Sequence, residues 1–402
     1  MERWDQCDAG EIAAAIMRGE VSAAEVTERA LAGIAALDAL LRCFRQVWSA
    51  RARSRARAVD RAVSRGAQFP LAGVPVAVKR SEGPRSVQLQ RLLRAGCVPV
   101  GMTAVPAGTP WQTWGWTERG PTRNPWGGQW SPGGSSAGSA AAVAGGLVPL
   151  ATAVDGAGST RIPAAWCGLV GVKPTRGRLP STHPAELSIG GPLARTVSDA
   201  RAYLDVVLDR PIELDPLREP ERSWWPVSAV WSADLGIAET GRETVAVAAE
   251  AAQSLQAGGV LQWREHPVEL VDPGQSWARL RAQSPVEQPE LDELRGVNDA
   301  VLARLFAHGD VLITPTTPAG PHGHEGPGEH MSVALTWAFN LSGHPAVSVP
   351  AGRDGAGAPV GLQLVGPHGS ESLLLALAAE LERVRPWPKV AAVQSLQKRP
   401  AG

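Results

Sequence analysis

Residues 130–179 read WSPGGSSAGSAAAVAGGLVPLATAVDGAGSTRIPAAWCGLVGVKPTRGRL. No other part of the chain is so poor in large side chains and so dense in glycine and serine. Gly133, Gly134 and Gly138 permit backbone angles that a Cβ forbids, and Ser135, Ser136, Ser139 and Ser159 are placed among them. Charge is nearly absent until Asp155 and Arg161. Such a segment lets backbone N–H groups close on a ligand. A flexible Gly/Ser linker is the bland alternative. Linkers, however, lack apolar runs such as AAAVAGGLV and CGLVGV, which suit a buried small-residue helix followed by buried strands.

Two chemical readings compete over these serines. Gly134-Ser135-Ser136-Ala137-Gly138 matches G-x-S-x-G, the nucleophile elbow of α/β-hydrolases, with Ser136 as nucleophile. An elbow needs a strand directly before the serine, and residues 129–134 are loop chemistry instead. The second reading is a resemblance. PGGSSAGSAAAVAGGLVPLATAVDGAGSTRIPAAWCGLVGVKPTRGR resembles the defining motif of the amidase signature family. There a lysine, a serine in a cis peptide and a nucleophilic serine form the catalytic set. The first serine of Gly-Gly-Ser-Ser is Ser135, and the serine of the D-x-G-G-S-x-R phrase is Ser159. Their separation, 159 − 135 = 24 residues, is the family's spacing. The family's G-V-P-x-A-V-K phrase is matched by Gly73-Val-Pro-Val-Ala-Val-Lys79, which gives Lys79 the role of the catalytic lysine.

The resemblance implies an α/β fold, a mixed twisted central sheet covered on both faces by helices. It implies one domain over 1–402, with an N-terminal helical part (1–68), a catalytic core (69–180), a variable region (209–305) and closing strands with a helix (306–385). It also assigns the oxyanion to the backbone N–H groups of Gly156, Ala157, Gly158 and Ser159. Ser136 supports Ser135 by hydrogen bonding, Asp155 pairs with Arg161 to hold the turn, and Thr109 and Gly134 contact substrate. Lys173 is structural. No metal and no cofactor is implied.

The chemistry is coherent on these residues alone. Serine is too weak an acid to attack an amide unaided. A lysine desolvated by Val76, Ala77 and Val78 can be neutral at working pH, which an arginine cannot. The bias of the chain sharpens the point: only Lys79, Lys173, Lys389 and Lys398 are lysines among 39 basic residues. Ser135 then relays the proton between Lys79 and Ser159.

Several positions depart from the family. Arg80 stands where Asp is usual, and Ala104, Ala107 and Ala157 replace Asn, Glu and Gly. The segments after Arg80 and in the middle of the chain are short, which predicts a smaller covering of the site. If Ala157 requires a positive φ, its Cβ carries a cost of about 1 kcal/mol or more.

The 402 residues are enough for one large α/β domain or two modest ones. Formal net charge is zero, so nothing in the charge favours nucleic acid or an anionic membrane. The start MERWDQCDAG has no secretory pattern. Cys7, Cys43, Cys97 and Cys167 are widely spaced, with no C-x-x-C, which predicts reduced thiols and a cytoplasmic location.

Capping boxes at Asp8–Glu11 and Ser22–Glu25 predict helices near 9–18 and 23–36. Further helices are expected over 50–64, 86–95, 197–208, 240–257, 291–307 and 370–384. Strands are expected over 71–79, 97–101 and 227–231, in VGVK, and in the closing phrases VLITPTTP, FNLSGHPAVSVP and PVGLQLVG. Trp111, Trp114, Trp116, Trp126 and Trp130 suggest an aromatic wall beside the acyl pocket, or ordinary core tryptophans. His322, His324, His330, Glu325 and Glu329 form a loose metal-ligand set on a Gly/Pro-rich loop that reads better as a mobile active-site rim.

The leading functional reading is an amidase acting on a small-molecule amide, with no nucleic-acid or membrane partner and with room for a homodimer. The alternatives are a glutaminase-type amidotransferase subunit, an acyl transferase, and a non-catalytic scaffold homologue.

Overall fold

The helices that open the chain begin where the capping boxes place them. Ser22 Oγ accepts from Glu25 N at 3.1 Å, and Glu25 reaches back to Ser22 N at 2.8 Å. Ala9–Met17 and Ala23–Leu41 follow. Asp60, on the helix Ser49–Val63, adds a second cap by accepting from Ala23 N at 2.7 Å. That pins two helices together at one of the unsatisfied helix ends. These facts come from a computed structural model that describes residues 6–83, 85–107, 112–181, 185–208, 225–282, 287–307 and 311–393.

The strands are β1 (Phe44–Val47), β2 (Pro75–Lys79), β3 (Val98–Thr103), β4 (Trp116–Thr117), β5 (Gly120–Pro121), β6 (Leu150–Asp155), β7 (Val170–Lys173), β8 (Ile189–Ala194), β9 (Val227–Trp231), β10 (Leu261–Trp263), β11 (Val311–Pro315), β12 (Ala346–Arg353) and β13 (Pro359–Val365). Eleven of them form one sheet in the order β1-β3-β2-β6-β8-β7-β12-β13-β11-β9-β10, while β4 and β5 pair separately. The sheet is mixed. β3, β2 and β6 run parallel, as do β11, β9 and β10, and the strands between them are antiparallel.

Helices flank this sheet. Ala137–Ala144 packs on β2, β3, β6 and β8; Arg161–Cys167 packs on β7, β12 and β13; Arg242–Ala257 packs on β10 to β13. Every residue of Ala137–Ala144 is buried. Its small side chains let it lie against the sheet, as a core helix without a polar face must. One apolar cluster runs from Ala9 through the central strands to Val393. The fold is the α/β architecture of a large mixed sheet flanked by helices.

The structure differs from the sequence reading in several places. The strand expected from residue 71 starts at Pro75, because Leu71–Gly73 form a turn. The helix expected over 291–307 is divided into Gln288–Arg295, a 3₁₀ turn Gly296–Asn298 and Asp299–Phe306, a break at the glycine. β1, β4, β5, β8, β10 and the helix Gly274–Arg281 were not expected. Their periodic signals are short and become strands or a helix only by pairing and packing. FNLSGHPAVSVP, expected as a strand, opens within the helix Ala338–Leu341 and becomes strand only from Ala346. Among the described residues no helix is long and apolar enough to cross a membrane.

Candidate active site

Parallel pairing places Val76 opposite Leu150 and Ala77 opposite Ala151. The carboxyl ends of β2 and β6 therefore finish together, the place where open α/β sheets bind ligands. Lys79 is the last residue of β2 and Asp155 the last of β6. Lys79 N donates to Thr152 Oγ1 at 2.9 Å, which fixes the strand end. Its side chain, 2% exposed, donates from Nζ to Ser135 Oγ at 2.9 Å and to Val154 O at 3.0 Å. Burial draws the ammonium down from 10.5 to about 8, against the pull of the Glu82 and Asp155 carboxylates.

The Gly134–Ser135 peptide is cis. Gly134 is buried against the backbone of Gln112 and Thr113, and a Cβ there would lie 2.1 Å from Gln112 O. Gly134, expected to touch substrate, thus admits a close backbone approach that a side chain would block. Ser136, expected to hydrogen-bond Ser135, does so with no side-chain atom: its Oγ is buried without a partner. Its backbone N–H donates instead to Ser159 O at 3.3 Å, which ties the two serine loops together. Ser159 is partly exposed. Among the described residues its hydroxyl is not hydrogen-bonded to Ser135, so Lys79–Ser135 is the bonded leg of the expected relay.

The turn carrying Ser159 is held by an ion pair that is 0% exposed on both sides. Arg161 Nε and Nη2 donate to the two Asp155 oxygens at 2.9 Å each. Burial alone would raise the Asp155 carboxyl; the Arg161 charge, its hydrogen bonds and Asn340 outweigh that and hold it well below the usual range. Asp155 also accepts from Gly158 N at 2.7 Å and Thr160 N at 3.2 Å.

That bond corrects the oxyanion assignment. The Gly158 N–H is spent on Asp155 and cannot serve a substrate. Gly156, Ala157 and Ser159 keep N–H groups with no hydrogen bond among the described residues. Ala157 does not have a positive φ, so its Cβ carries no strain; the left-handed position is Gly158, at φ 114. A Cβ on Gly158 would meet Thr336 Oγ1 at 2.3 Å, and that hydroxyl donates to Ala157 O at 2.7 Å.

Four further residues were missed in the sequence: three surround this turn and one, Glu82, lies beside Lys79. Asn340 Nδ2 donates to Asp155 Oδ1 at 3.0 Å and to Asp155 O at 2.9 Å, while its Oδ1 accepts from Arg161 Nη2 at 2.7 Å. Gln363 Oε1 accepts from Arg161 Nη1 at 2.8 Å. Both lie in the closing phrases FNLSGHP and PVGLQLVG, and a polar residue within an apolar strand or helix was the available signal. Glu82 follows Lys79 by three residues in a 3₁₀ turn. It accepts from Gln88 Nε2, and burial raises its carboxyl to about 7. Trp277, from the unanticipated helix, donates to Gly156 O at 2.7 Å.

Lys173 is fully buried and donates to Pro174 O at 3.0 Å; burial first, then the Arg161 charge, lowers it to about 7. The tryptophans divide. Trp114 and Trp116 lie 6.1 Å apart between ring centroids, whereas Trp126 donates to Cys167 O at 2.7 Å and carries the Arg353 guanidinium 4.1 Å from its ring. Thr109 and Trp111 lie outside the described residues. The histidine loop is fastened rather than loose. His324 contacts Gly128 O at 2.9 Å, Ser131 N donates to His322 O at 2.8 Å, and the His322 ring lies edge-on to Trp166 at 5.4 Å. No group of metal-ligating side chains gathers among the described residues.

The amidase family model matches residues 84–273 and 278–375, a span that includes Ser135 and Ser159 and begins five residues after Lys79. A Mycobacterium tuberculosis protein named as amidase AmiB2 is 33% identical, with 96% of this chain and 98% of that protein covered. The alignment runs over 465 positions, more than this chain has residues. A glutamyl-tRNA(Gln) amidotransferase component from Synechococcus is 32% identical, covering 91% of this chain and 94% of its own. Among solved structures, a bacterial aryl acylamidase superposes with a TM-score of 0.84 at 23% identity over 98% of this chain and 99% of that one. A family match over well over half of the residues, together with relatives above 30% identity along nearly the whole length, establishes that this chain belongs to the amidase signature family.

Proposed function

We propose that this protein hydrolyses a carboxylic amide through an acyl-enzyme on Ser159, with Ser135 and Lys79 as the proton relay. The observation that carries the reading is the 2.9 Å bond from the buried Lys79 Nζ to Ser135 Oγ. A lysine brought to about 8 by burial is substantially neutral in mild base and can accept a proton.

In this mechanism Ser159 Oγ attacks the amide carbon as its proton passes through Ser135 to Lys79. The oxyanion is received by the free N–H groups around Ala157, each such donor being worth about 3 kcal/mol in other hydrolases. Collapse of the tetrahedral intermediate breaks the C–N bond, and the relayed proton leaves with ammonia or an amine. Water, deprotonated along the same path, then attacks the Ser159 ester and releases the carboxylic acid. The working enzyme in this reading is cytoplasmic, as its four free cysteines favour. It needs no cofactor and acts alone or as a homodimer.

The test is labelling with a broad serine-reactive fluorophosphonate, followed by intact-mass measurement and peptide mapping. Labelling at Ser159 that is lost in Lys79→Ala is the expected result; an adduct on Ser136 would replace this mechanism with the elbow reading. A second reading, supply of ammonia to a synthetase partner, has the Synechococcus amidotransferase component in its favour. Co-purification of a second protein, with glutamine turned over only in the complex, would select it.

A further inference from the structure

The helix Gly274–Arg281 ends beside the turn that carries Ser159. Its Trp277 donates to Gly156 O at 2.7 Å, and the Trp337 ring lies 6.5 Å from the Trp277 ring. The last residue of the helix is Arg281, which is exposed. Its guanidinium carbon stands 5.9 Å from the centre of the Trp277 ring, and Nη1 donates to Ser188 Oγ at a long 3.4 Å. Ser188 in turn lies against Gly156, where a Cβ would come within 2.9 Å of its hydroxyl. The guanidinium is thus held at the Gly156 turn from two sides.

Its neighbours find carboxylates. Arg279, two residues earlier, pairs with Glu290 at 2.9 Å, and Arg295 lies 3.6 Å from Glu186. Arg281 has no carboxylate partner among the described residues. An aromatic face and one long hydrogen bond orient the fork while leaving most of its donors open, the state suited to a planar anion. The charge also reaches the catalytic end of the sheet, where it opposes protonation of Lys79.

We infer that Arg281 is the anion-binding residue of the substrate site, so that the preferred substrates are amides bearing a carboxylate on the acyl or the amine part. The inference rests on the amidase reading. Binding of the carboxylate over the Trp277 face would place the amide toward the N–H groups at Ala157 and the Ser159 hydroxyl. The electrostatic attraction also serves as selection, since an ammonium at the same place would be repelled.

The experiment measures binding, not turnover, in a Ser159→Ala background by calorimetry. Two matched pairs are used: glutaranilic acid against valeranilide, and 4-acetamidobenzoate against 4-methylacetanilide. In at least one pair the carboxylate member should bind about tenfold more tightly, the order expected of a charge-assisted hydrogen bond at a partly open site. The ratio should fall as salt is raised, collapse toward one in Arg281→Met, and reverse for ammonium-bearing analogues in Arg281→Glu. Equal affinities in both pairs, or a preference that survives Arg281→Met, overturns the inference. Should the preference be present while the protein with Ser159 intact cleaves no amide, the hydrolase reading fails and the anion site stands.

Discussion

Replacing Lys79 by methionine should make stability respond to pH differently, and the structure sets the size. An unfolded lysine titrates at 10.5, whereas burial brings Lys79 to about 8. A group depressed in the folded state contributes its full stability above the unfolded value and loses it as pH falls through the folded one. The difference of about 2.5 pH units corresponds to about 3 kcal/mol at 1.36 kcal/mol per unit, nearly all of it felt at pH 7 and only about 1 kcal/mol at pH 10. Methionine removes that penalty. It also leaves Val154 O and Ser135 Oγ without their donor, a cost of about 1–3 kcal/mol for each buried group. The second effect does not depend on pH. The stability of Lys79→Met minus that of the wild type should therefore be about 2 kcal/mol more favourable at pH 7 than at pH 10.

Urea unfolding followed by the fluorescence of the 15 tryptophans, at constant ionic strength, reads this difference. Glu82 is raised by burial from 4.5 to about 7, so its contribution has the opposite sign and is lost as pH rises between those values, with only its tail reaching above pH 7. Repeating the comparison in a Glu82→Gln background removes that contribution. Parallel stability curves in both backgrounds would refute a desolvated Lys79, and with it the source of the general base.

Three further outcomes follow from the same geometry. In the wild type, log kcat/KM should rise with pH to a plateau with its midpoint near 8, because the proposed mechanism uses the neutral amine as its base. Glu82→Gln should move that midpoint lower by removing a charge that favours the ammonium, and a profile flat from pH 6 to 9 would count against the assignment. Asp155→Asn or Arg161→Met should each cost about 3–5 kcal/mol in urea unfolding, since either leaves a buried charge unpaired. Gly158→Ala should unfold or inactivate the protein because its Cβ would meet Thr336, whereas Ala157→Gly should be folded and active. Thermal melts with fluorophosphonate labelling compare the two.

Lys79, Ser135, Ser159 and the Asp155–Arg161 pair were legible because each lies in a contiguous phrase whose chemistry is local. A strand ends in the lone lysine of an apolar run, and two serine turns are framed by glycine. Asn340, Gln363, Glu82 and Trp277 were not legible as partners. Asn340 is 185 positions from Asp155, and Gln363 is 202 from Arg161. What identifies them is the charge they neutralise, which no window of sequence contains. The same limit explains β8: its Gly191-Pro192 pair signals a turn, yet six antiparallel partners on β6 make it a strand.

By itself the sequence determined which lysine and serines are the candidates for the chemistry, the caps that start the first helices, and the small-residue helix that must be buried. These depend on side-chain type at short separation. The tertiary structure alone decided which N–H groups of the Ser159 turn are free and which one Asp155 consumes. It also decided that Ser136 acts through its backbone, and that an arginine from the variable region stands at the Gly156 turn. Hydrogen-bond availability and desolvation are properties of the packed neighbourhood, and that neighbourhood exists only once β2 and β6 end side by side.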